Sequence, residues 1–319
     1  EPEMPNISRF EITGVFTHPN AKADIVLVHG VNGHPRNTWT AKNGTFWPVE
    51  LLPKSLQDEH ANILVYGYNA DAYSRGKDQH ASHNIILQHA QTLVTNLTVY
   101  RKSNACFKNP IIWVAHSFGG ILVKRALLYS NDLRATDHGD LRSIYVSTYG
   151  IIFLGTPHAG SILANLGLYI HQASRITIPR SIFQSESALL KTLKRDNERL
   201  REINNQFLNI YERFKIHMVH ENHKTDLKIT RALVVDGPSA GNPLPGATYY
   251  GIEATHSNMC KFKDINAPGY LIISTAIRDW VGDSTEVIKN RWDNEKEDRH
   301  AKVRRDIDEM QKSSVSNVE

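Results

Sequence analysis

The sequence predicts an α/β fold in which a mostly parallel sheet carries helices on both faces. The first observation is a series of short apolar runs bounded by polar or turn-forming residues, which is typical of buried strands. The second is that segments with a helical spacing of apolar residues separate these runs, as the crossovers of a parallel sheet require. The third is a strand that leads through a tight turn around Ser117 directly into a helix.

Seven segments carry the strand pattern, and the first of them predicts an edge strand. They are Phe10–Phe16, Ala23–Gly30, Ala61–Gly67, the run from Ile111 into the turn, Tyr149–Gly155, Phe214–Glu221 and Arg231–Asp236. Residues 131–146 are polar and predict a loop. Residues 237–255 are rich in glycine and proline and predict a second loop.

Three further segments predict helices. A short helix starts at Trp47 and keeps Pro48 in its first turn, where proline is allowed. Residues 80–103 space their apolar side chains as a helix does, and Tyr270–Val281 predicts a closing amphipathic helix. A chain of 319 residues is long enough to bury a large α/β core.

Two segments do not follow the alternation of strands and helices. Residues 161–213 hold no strand signal but carry a long helical stripe of apolar residues, so they predict a helical insertion that covers the site as a lid. From residue 284 the chain is charged, with nearly equal numbers of basic and acidic residues. We expect one domain over residues 1–283 and a charged helix or linker over residues 284–319.

The composition argues against several classes of function. A net charge of +4 without a dense basic run gives no support for nucleic-acid binding. The 40% hydrophobic and 22% charged residues are an ordinary globular balance, and no apolar stretch reaches the length of a membrane span. Cys106 and Cys260 are the only cysteines, so we expect no disulfide framework and a reducing, cytoplasmic compartment.

The turn Ala115-His-Ser-Phe-Gly-Gly120 predicts a nucleophile elbow. Small residues flank the serine of this motif because its backbone is strained and its neighbours pack against the strand and the helix. Ala115 stands where the motif usually has its first glycine, a change that the turn tolerates. Ser117 is therefore the candidate nucleophile, and the motif predicts that an acidic residue and then a histidine follow it.

A serine hydroxyl needs a base that removes its proton during attack. His256 follows the last predicted strand on a long loop and is the last histidine before the closing helix, so it is the candidate base. His116 lies beside Ser117 but is expected to point away from it. His29 and His158 lie at strand ends, where holding loops by hydrogen bonds is the simpler role.

Two carboxylates are candidates for orienting this base. Glu221 follows the strand before the last one, the usual place for the acid of a triad, and Asp236 follows the last predicted strand. Both stand at carboxyl ends of strands, from which they could reach the same face of the sheet. The topology favours Glu221, and Asp236 stays open as the alternative.

The oxyanion of such a reaction needs N–H donors that already point at it. The N–H of Phe118 is the first expected donor, because it belongs to the residue after the nucleophile. The second should come from the loop after His29-Gly30, with Val31 favoured over Asn32.

A polar group made of His217, His220, Glu221 and His223 superficially suggests a metal site. Strand alternation sends neighbouring side chains to opposite faces, so we expect no metal there. The only closely spaced glycines near a strand end belong to the elbow, so no phosphate loop and no cofactor are expected.

Several motifs of the chain recur together in a known group of proteins. They are His29-Gly-Val-Asn-Gly-His34, Trp39-Thr40, Trp47-Pro48, Tyr66-Gly-Tyr-Asn-Ala70, Ala115–Gly120, Phe153-Leu-Gly-Thr-Pro-His-Ala-Gly-Ser161 and His256-Ser-Asn-Met-Cys-Lys-Phe262. With these motifs, residues 10–283 resemble the lipase-like domains at the N-termini of fungal NACHT-type, NLR-like immune receptors. They also resemble the wider group that contains the mitochondrial serine-active-site protein of phospholipid remodelling and the GPI inositol-deacylase. The resemblance implies an α/β-hydrolase fold.

The resemblance bears on the choice of acid. Members of the group often carry a glutamate at the position of Glu221, which supports that residue. They also often carry an acidic residue before a Ser-Ala pair, and here that segment is Asp236-Gly-Pro-Ser-Ala240, so the alternative remains. Asn69 stands where relatives frequently have aspartate.

The resemblance implies an intracellular serine hydrolase of the esterase or lipase type. It would cleave carboxylic esters, above all lipid or phospholipid acyl esters, through an acyl-enzyme. It also implies an effector role in innate immunity, with the charged tail as the linker to a nucleotide-binding oligomerisation domain. The expected partners are a lipid or ester substrate, with a transient membrane surface and that downstream domain as further candidates. The alternatives are a hydrolase-fold signalling or assembly module with little catalysis, and a peptidase or thioesterase that uses the same triad.

Overall fold

The computed structural model describes residues 6–30, 33–69, 81–133, 139–158, 198, 200–223, 225–227, 230–232 and 243–316. Its strands within these ranges are β1 (Glu11–Phe16), β2 (Ala23–Val28), β3 (Ala61–Gly67), β4 (Ile111–His116), β5 (Thr148–Leu154), β6 (Lys215–Glu221), β7 (Thr225–Leu227), β8 (Thr230–Ala232) and β9 (Thr248–Ile252). Its α-helices there are α1 (Trp47–Glu50), α2 (Leu52–Ser55), α3 (Ala81–Ser103), α4 (Phe118–Asp132), α5 (Ser143–Ser147), α6 (200–207) and α7 (Tyr270–Ser316).

Seven of these strands form the central sheet, in the order β1-β3-β2-β4-β5-β6-β9. β1 pairs antiparallel with β3, and the other pairs in this sheet are parallel. β2, β4 and β5 are buried along their whole length because helices cover both faces, which explains their continuous apolar runs. This strand order, with a sharp turn from β4 into α4, is that of the α/β-hydrolase fold. The predicted fold class is therefore confirmed.

Two apolar clusters, one on each face of the sheet, hold the layers together. On one face α3, α4 and α5 pack with strand residues such as Val26 and Trp113. On the other face Ile273 and Ile277 of α7 belong to the same cluster as Ile25. Adjacent residues of β2 enter different clusters because successive side chains leave a strand on opposite sides.

The loop predicted over residues 131–146 is wrong at both ends. α4 extends into the start of this range, and α5 forms a buried helix at its end. The hydroxyl of Ser130 donates to the carbonyl of Leu141 (2.7 Å) and accepts from the N–H of Tyr145 (3.0 Å). Ser130 of α4 therefore satisfies backbone groups at the start of α5.

The last strand of the sheet also differs from the prediction. Thr230–Ala232 pairs with Thr225–Leu227 in a separate two-stranded antiparallel hairpin, and residues 233–236 lie outside the described residues. The strand that ends the sheet is β9, which falls inside the predicted loop 237–255 and pairs in parallel with β6. Its threonine and tyrosines favour a strand, but the many glycines and prolines before it dominated the prediction.

α7 is 47 residues long and crosses the predicted boundary at residue 283 without a break. Beyond that boundary Ile288 is buried, and Arg291 donates to the carbonyl of Thr148 (2.7 Å). Arg142 and Glu295 form an ion pair at 2.7 Å. The helix therefore stays packed on the α/β domain as far as Glu295. Neither α7 nor any other helix in the described ranges combines the length and apolarity of a membrane span.

The predicted lid over residues 161–213 is described at residue 198 and from residue 200 onward. Leu200, Ile203 and Phe207 of α6 are buried. Phe207 stacks on Phe214, which directly precedes β6, with ring centroids 6.1 Å apart. This end of the segment is therefore part of the core, and a lid role for the rest stays a prediction.

Candidate active site

Ser117 lies at the turn between β4 and α4 in a strained backbone conformation, with φ 54° and ψ −125°. Few residues other than glycine adopt a positive φ, and such a conformation costs about 1–3 kcal/mol. The N–H of Ser117 donates to the carbonyl of Leu154 (2.8 Å), and its own carbonyl accepts from the N–H of Gly120 (3.0 Å). These bonds hold the serine in the geometry of a nucleophile elbow.

Gly119 lets the start of α4 lie directly against the neighbouring strand. A Cβ atom at this position would lie 2.5 Å from the carbonyl oxygens of both Val28 and His29, so no side chain fits there. The small residue in the motif is therefore required by close packing of backbone on backbone.

Three buried side chains form a hydrogen-bonded chain beside this turn. Nε2 of His256 lies 2.9 Å from Oγ of Ser117, and Nδ1 of His256 lies 3.1 Å from Oε2 of Glu221. The exposed fraction is 1% for Ser117 and 0% for His256 and Glu221. With a proton on Nδ1 donated to the carboxylate, Nε2 is free to accept the proton of the serine hydroxyl.

Strand topology explains this convergence. Ser117, Glu221 and His256 come at or just after the carboxyl ends of β4, β6 and β9, respectively. These ends lie at the same edge of the sheet because the strands are parallel. We call the segment after β9 that carries His256 the histidine loop. The N–H of Asn222 donates to the carbonyl of Ile252 (2.9 Å), and the N–H of His223 donates to that of Ala254 (3.1 Å). The chain leaving β6 is thus tied to the chain that leads to His256.

The loop after His256 is fixed against the loop that precedes α1. The indole N–H of Trp47 donates to the carbonyl of Cys260 (3.0 Å), and the thiol of Cys260 donates to the carbonyl of Thr38 (3.4 Å). Trp47 also contacts Phe262 edge to face, with ring centroids 5.2 Å apart. Most of these residues belong to the motifs that carry the family resemblance, and here they act by supporting the histidine loop.

The remaining sequence candidates are only partly within the described residues. Phe118 is the first residue of α4, directly after Ser117. Gly30 and Gly33 are joined by a backbone hydrogen bond of 3.0 Å. Val31, Asn32 and Asp236 lie outside the described residues. The roles of Val31 as the second oxyanion donor, of Asn32 as its alternative and of Asp236 as the alternative acid therefore stay predictions.

The segment Gly155-Thr-Pro-His158 backs the serine and the histidine together. Gly155 has φ +59°, and a Cβ atom there would lie 2.9 Å from Cε1 of His256. The hydroxyl of Thr156 donates to the carbonyl of Ser117 (3.0 Å). This segment therefore leaves room for the imidazole on one side and holds the elbow on the other.

Lys124 of α4 is almost fully buried, and the hydrogen-bond partners it has among the described residues are neutral. Its Nζ lies 2.8 Å from Nδ1 of His158 and 2.6 Å from Oδ1 of Asn204. It also lies 5.1 Å and 5.3 Å from the ring centroids of Phe153 and Phe207. Burial lowers the pKa of Lys124 to about 7, because desolvation disfavours its charged form. We call Lys124, His158 and Asn204 the lysine cluster.

Two histidines hold loops, as their positions at strand ends suggested. His158 does so through its contact with the amine of Lys124. Nδ1 of His29 donates to the carbonyl of Gly30 (2.8 Å), and its ring stacks on Tyr68 with centroids 4.5 Å apart. Burial lowers the pKa of His29 to about 4, so the ring is neutral at physiological pH.

His116 points away from the Ser117 hydroxyl and toward the backbone of the histidine loop. Its Nε2 lies 2.8 Å from the carbonyl oxygen of His256, and only 6% of its surface is exposed. Burial, with a smaller effect of His256, lowers the pKa of His116 to about 3. The ring is therefore neutral, with its proton on Nε2, where it donates to that carbonyl.

The polar group around β6 does not converge on one point. Glu221 faces His256, whereas Nδ1 of His217 lies 3.1 Å from the hydroxyl of Tyr250. His223 pairs with Glu253 at the surface. Across the described part of the chain, no group of three or more His, Cys, Asp or Glu side chains is arranged to hold a metal ion.

Sequence reasoning did not identify the contacts of His116, Lys124 and Asn204. One signal was present for Lys124, because a lysine stands between apolar residues on the inner stretch of a predicted helix. Asn204 carried no signal, since its partner lies 80 positions away along the chain.

No protein-family model matches the chain. It is 29% identical to Protein SERAC1 of Danio rerio over 262 residues, and 27% identical to Protein SERAC1 of Homo sapiens over 272 residues. Each match covers 77% of this chain and 37% of the relative, so the chain spans little more than a third of these curated relatives.

Solved structures with a similar arrangement include several lipases. The monoacylglycerol lipase of Paleococcus ferrophilus has a TM-score of 0.38 at 12% identity, covering 85% of this chain and 97% of that one. A monoglyceride lipase variant of Saccharomyces cerevisiae has a TM-score of 0.40 at 11% identity, covering 84% and 89%. A hormone-sensitive lipase from a metagenome library has a TM-score of 0.44 at 12% identity, covering 84% and 80%. The fold assignment itself rests on the strand order and the elbow.

Proposed function

We propose that this chain is a serine hydrolase of the esterase or lipase type, which cleaves carboxylic esters through an acyl-enzyme. The observation that carries the proposal is the buried hydrogen-bonded chain from Ser117 through His256 to Glu221. A serine at an ordinary turn between strand and helix needs neither a positive φ nor a histidine backed by a carboxylate. A nucleophilic serine at an elbow uses both the strained turn and the histidine–carboxylate pair.

In this mechanism His256 removes the proton of Ser117 as the hydroxyl oxygen attacks the ester carbonyl. The proton goes to Nε2, because Nδ1 already donates its own proton to Glu221. The carboxylate then stabilises the imidazolium that has formed. The N–H of Phe118, with Val31 as the second donor, holds the oxyanion of the tetrahedral intermediate.

The same groups complete acylation and then carry out deacylation. His256 gives its proton to the departing alcohol, which leaves the acyl group on Ser117. A water molecule then attacks the acyl-enzyme while His256 takes its proton. When this second intermediate collapses, His256 returns that proton to Oγ of Ser117, so the carboxylic acid leaves and the serine hydroxyl is restored.

Lipid or phospholipid acyl esters are the substrate class within this proposal. The motif resemblance to domains of phospholipid remodelling and GPI deacylation supports it, as does the similarity to Protein SERAC1 over most of the chain. Such substrates would be met at a membrane surface, so transient membrane contact belongs to the proposal. A cytoplasmic site of action agrees with the two unpaired cysteines.

Labelling with a fluorophosphonate probe tests the proposed chemistry, because such a probe bonds only to an activated serine. We expect the wild type to be labelled and Ser117→Ala to remain unlabelled. Equal labelling of both would overturn the assignment of the nucleophile. Turnover on a panel of acyl-chain esters, phospholipids, thioesters and peptides then identifies the class, and a preference for peptides or thioesters would support those alternatives instead.

The length of α7 favours a second candidate function, a hydrolase-fold module of a larger signalling assembly. Described residues near its C-terminal end, such as Arg304 and Ile307, are exposed. The effector role in an NLR-like immune receptor, with a nucleotide-binding oligomerisation domain downstream, remains a prediction. If Ser117→Ala left the biological output of the full-length protein intact, the assembly role would replace the enzymatic one.

A further inference from the structure

We infer that His116 is a positioning residue, which holds the backbone of His256 so that the imidazole meets Ser117 in a single orientation. The inference rests on the proposed function, because it concerns the same site. His116 directly precedes Ser117, yet its side chain bonds to the loop that carries the base. The elbow therefore supplies both the nucleophile, Ser117, and the side chain of His116, which holds the backbone of the base His256.

The geometry around His256 shows what this contact adds. Its side chain is held at Nε2 by Ser117 and at Nδ1 by Glu221, but both bonds act on a ring that can still move with its backbone. The bond from His116 to the carbonyl of His256, at 2.8 Å, acts on the backbone itself. It thus fixes the point from which the imidazole projects.

The contact is also suited to the charge that develops during the reaction. The rings of His116 and His256 lie 5.1 Å apart, and a charged His116 would repel the imidazolium formed at His256. Burial keeps His116 neutral, because its pKa is lowered to about 3. His116 can therefore hold the base without opposing its protonation.

A matched pair of variants separates the hydrogen bond from mere filling of space. In His116→Gln the side-chain amide reaches about as far as Nε2 of histidine and can donate to the same carbonyl. In His116→Asn the amide is one methylene shorter, so polarity is kept while the donor falls short. His116→Met fills the volume without any donor.

Turnover of an ester substrate provides the first measurement, with thermal unfolding as the check on folding. We expect His116→Gln to keep kcat within about threefold of the wild type, and His116→Asn and His116→Met to lose about ten- to a hundredfold. KM should change little, since substrate contacts are intact. Equal kcat for folded His116→Gln and His116→Asn, or wild-type kcat in all three variants, would overturn the inference.

Nitrogen-edited NMR of the His256 ring provides a measurement that needs no turnover. We expect one set of ring signals in the wild type and in His116→Gln, and broadened or doubled signals in His116→Asn. Identical spectra for the two variants would contradict a positioning role. A wild type that neither turns over esters nor reacts with a fluorophosphonate would defeat the proposed function instead, and the NMR comparison would still decide the role of His116.

Discussion

Two histidines at the carboxyl end of the sheet have partners of opposite charge. Nδ1 of His256 lies 3.1 Å from the carboxylate of Glu221, whereas Nδ1 of His158 lies 2.8 Å from the amine of Lys124. In the proposed mechanism this carboxylate stabilises the imidazolium that forms at His256. At His158, burial and then Lys124 lower the pKa well below its usual value.

At His158 burial lowers the pKa most and Lys124 adds to this effect, whereas His256 has a carboxylate as its partner. His256 is placed to receive a proton, and His158 is kept as a neutral acceptor that holds a loop. In the proposed mechanism His256 changes its charge during the reaction, while the lysine cluster links α4, the loop after β5 and α6. Four predictions test this contrast.

The largest effect should come from removing one histidine or the other. We expect His256→Ala to lower kcat by about 10⁴- to 10⁶-fold, because Nε2 of His256 is the atom placed to take the serine proton. His158→Asn keeps an acceptor for Lys124 and should stay within about tenfold of the wild type. Steady-state turnover of a short-chain ester, with thermal unfolding as the folding check, measures both. Comparable losses of kcat in the two variants would contradict the different roles of the two histidines.

Neutralising the carboxylate partner should come next. We expect Glu221→Gln to lower kcat by about 10³- to 10⁴-fold, because an amide neither stabilises the imidazolium nor enforces the tautomer. Asp236→Asn serves as the matched control and should change kcat far less. The same ester assay ranks them, and the reverse ranking would exchange the roles of the two acids.

Removing the amine of the lysine cluster should change how stability depends on pH. The pKa of Lys124 is lowered from 10.5 to about 7, so between these values the unfolded chain binds more protons than the folded one. The contribution of Lys124 to the free energy of unfolding therefore rises with pH across this window. Lys124→Met lacks this titration, so its stability relative to the wild type should fall by a few kcal/mol, on the order of 3, from about pH 7 to pH 10.

Urea unfolding at several pH values measures this difference. Lys102→Met is the control, since Lys102 is an exposed lysine paired with Asp140 at the surface. We expect its stability difference from the wild type to stay nearly constant over the same range. A constant difference for Lys124→Met as well would contradict the lowered pKa of the buried amine.

The smallest effect should come from giving the lysine cluster the carboxylate that the triad has. Oδ1 of Asn204 lies 2.6 Å from Nζ of Lys124, so Asn204→Asp would place a negative charge beside the amine. We expect the pKa of Lys124 to rise and the pH dependence of unfolding to flatten. The net change in stability at neutral pH should be about 1 kcal/mol or less, because desolvation of a buried pair offsets its attraction. An unchanged pH slope in urea unfolding would count against this account.

Much of the fold could be predicted because its signals are local. The apolar runs of β2, β4 and β5 predict buried strands by themselves, and the small residues around Ser117 predict the strained turn. The chain order of serine, acid and histidine then led to Glu221 and His256 before any contact was known. Val31 and Asp236 followed from the same logic and stay predictions.

The errors arose where neighbouring residues gave a misleading local pattern. α5 looked like a loop because serines and charged residues surround it, yet Ser130 satisfies its backbone from another helix. β9 looked like a loop because glycines and prolines precede it, yet pairing with β6 makes it the last strand. In both cases the stabilising partner belongs to another helix or strand, so the pattern within the segment could not reveal it.

The sequence by itself determined the fold class, the elbow and the order of the candidate triad, because strand patterns and turn chemistry depend on neighbouring residues. Tertiary structure alone showed which groups His116 and Lys124 contact. His116 reaches a carbonyl 140 positions away, and Lys124 reaches an amide 80 positions away. Whether an imidazole is a base, an anchor or a neutral acceptor depends on the charge and distance of such partners, which only the folded chain brings together.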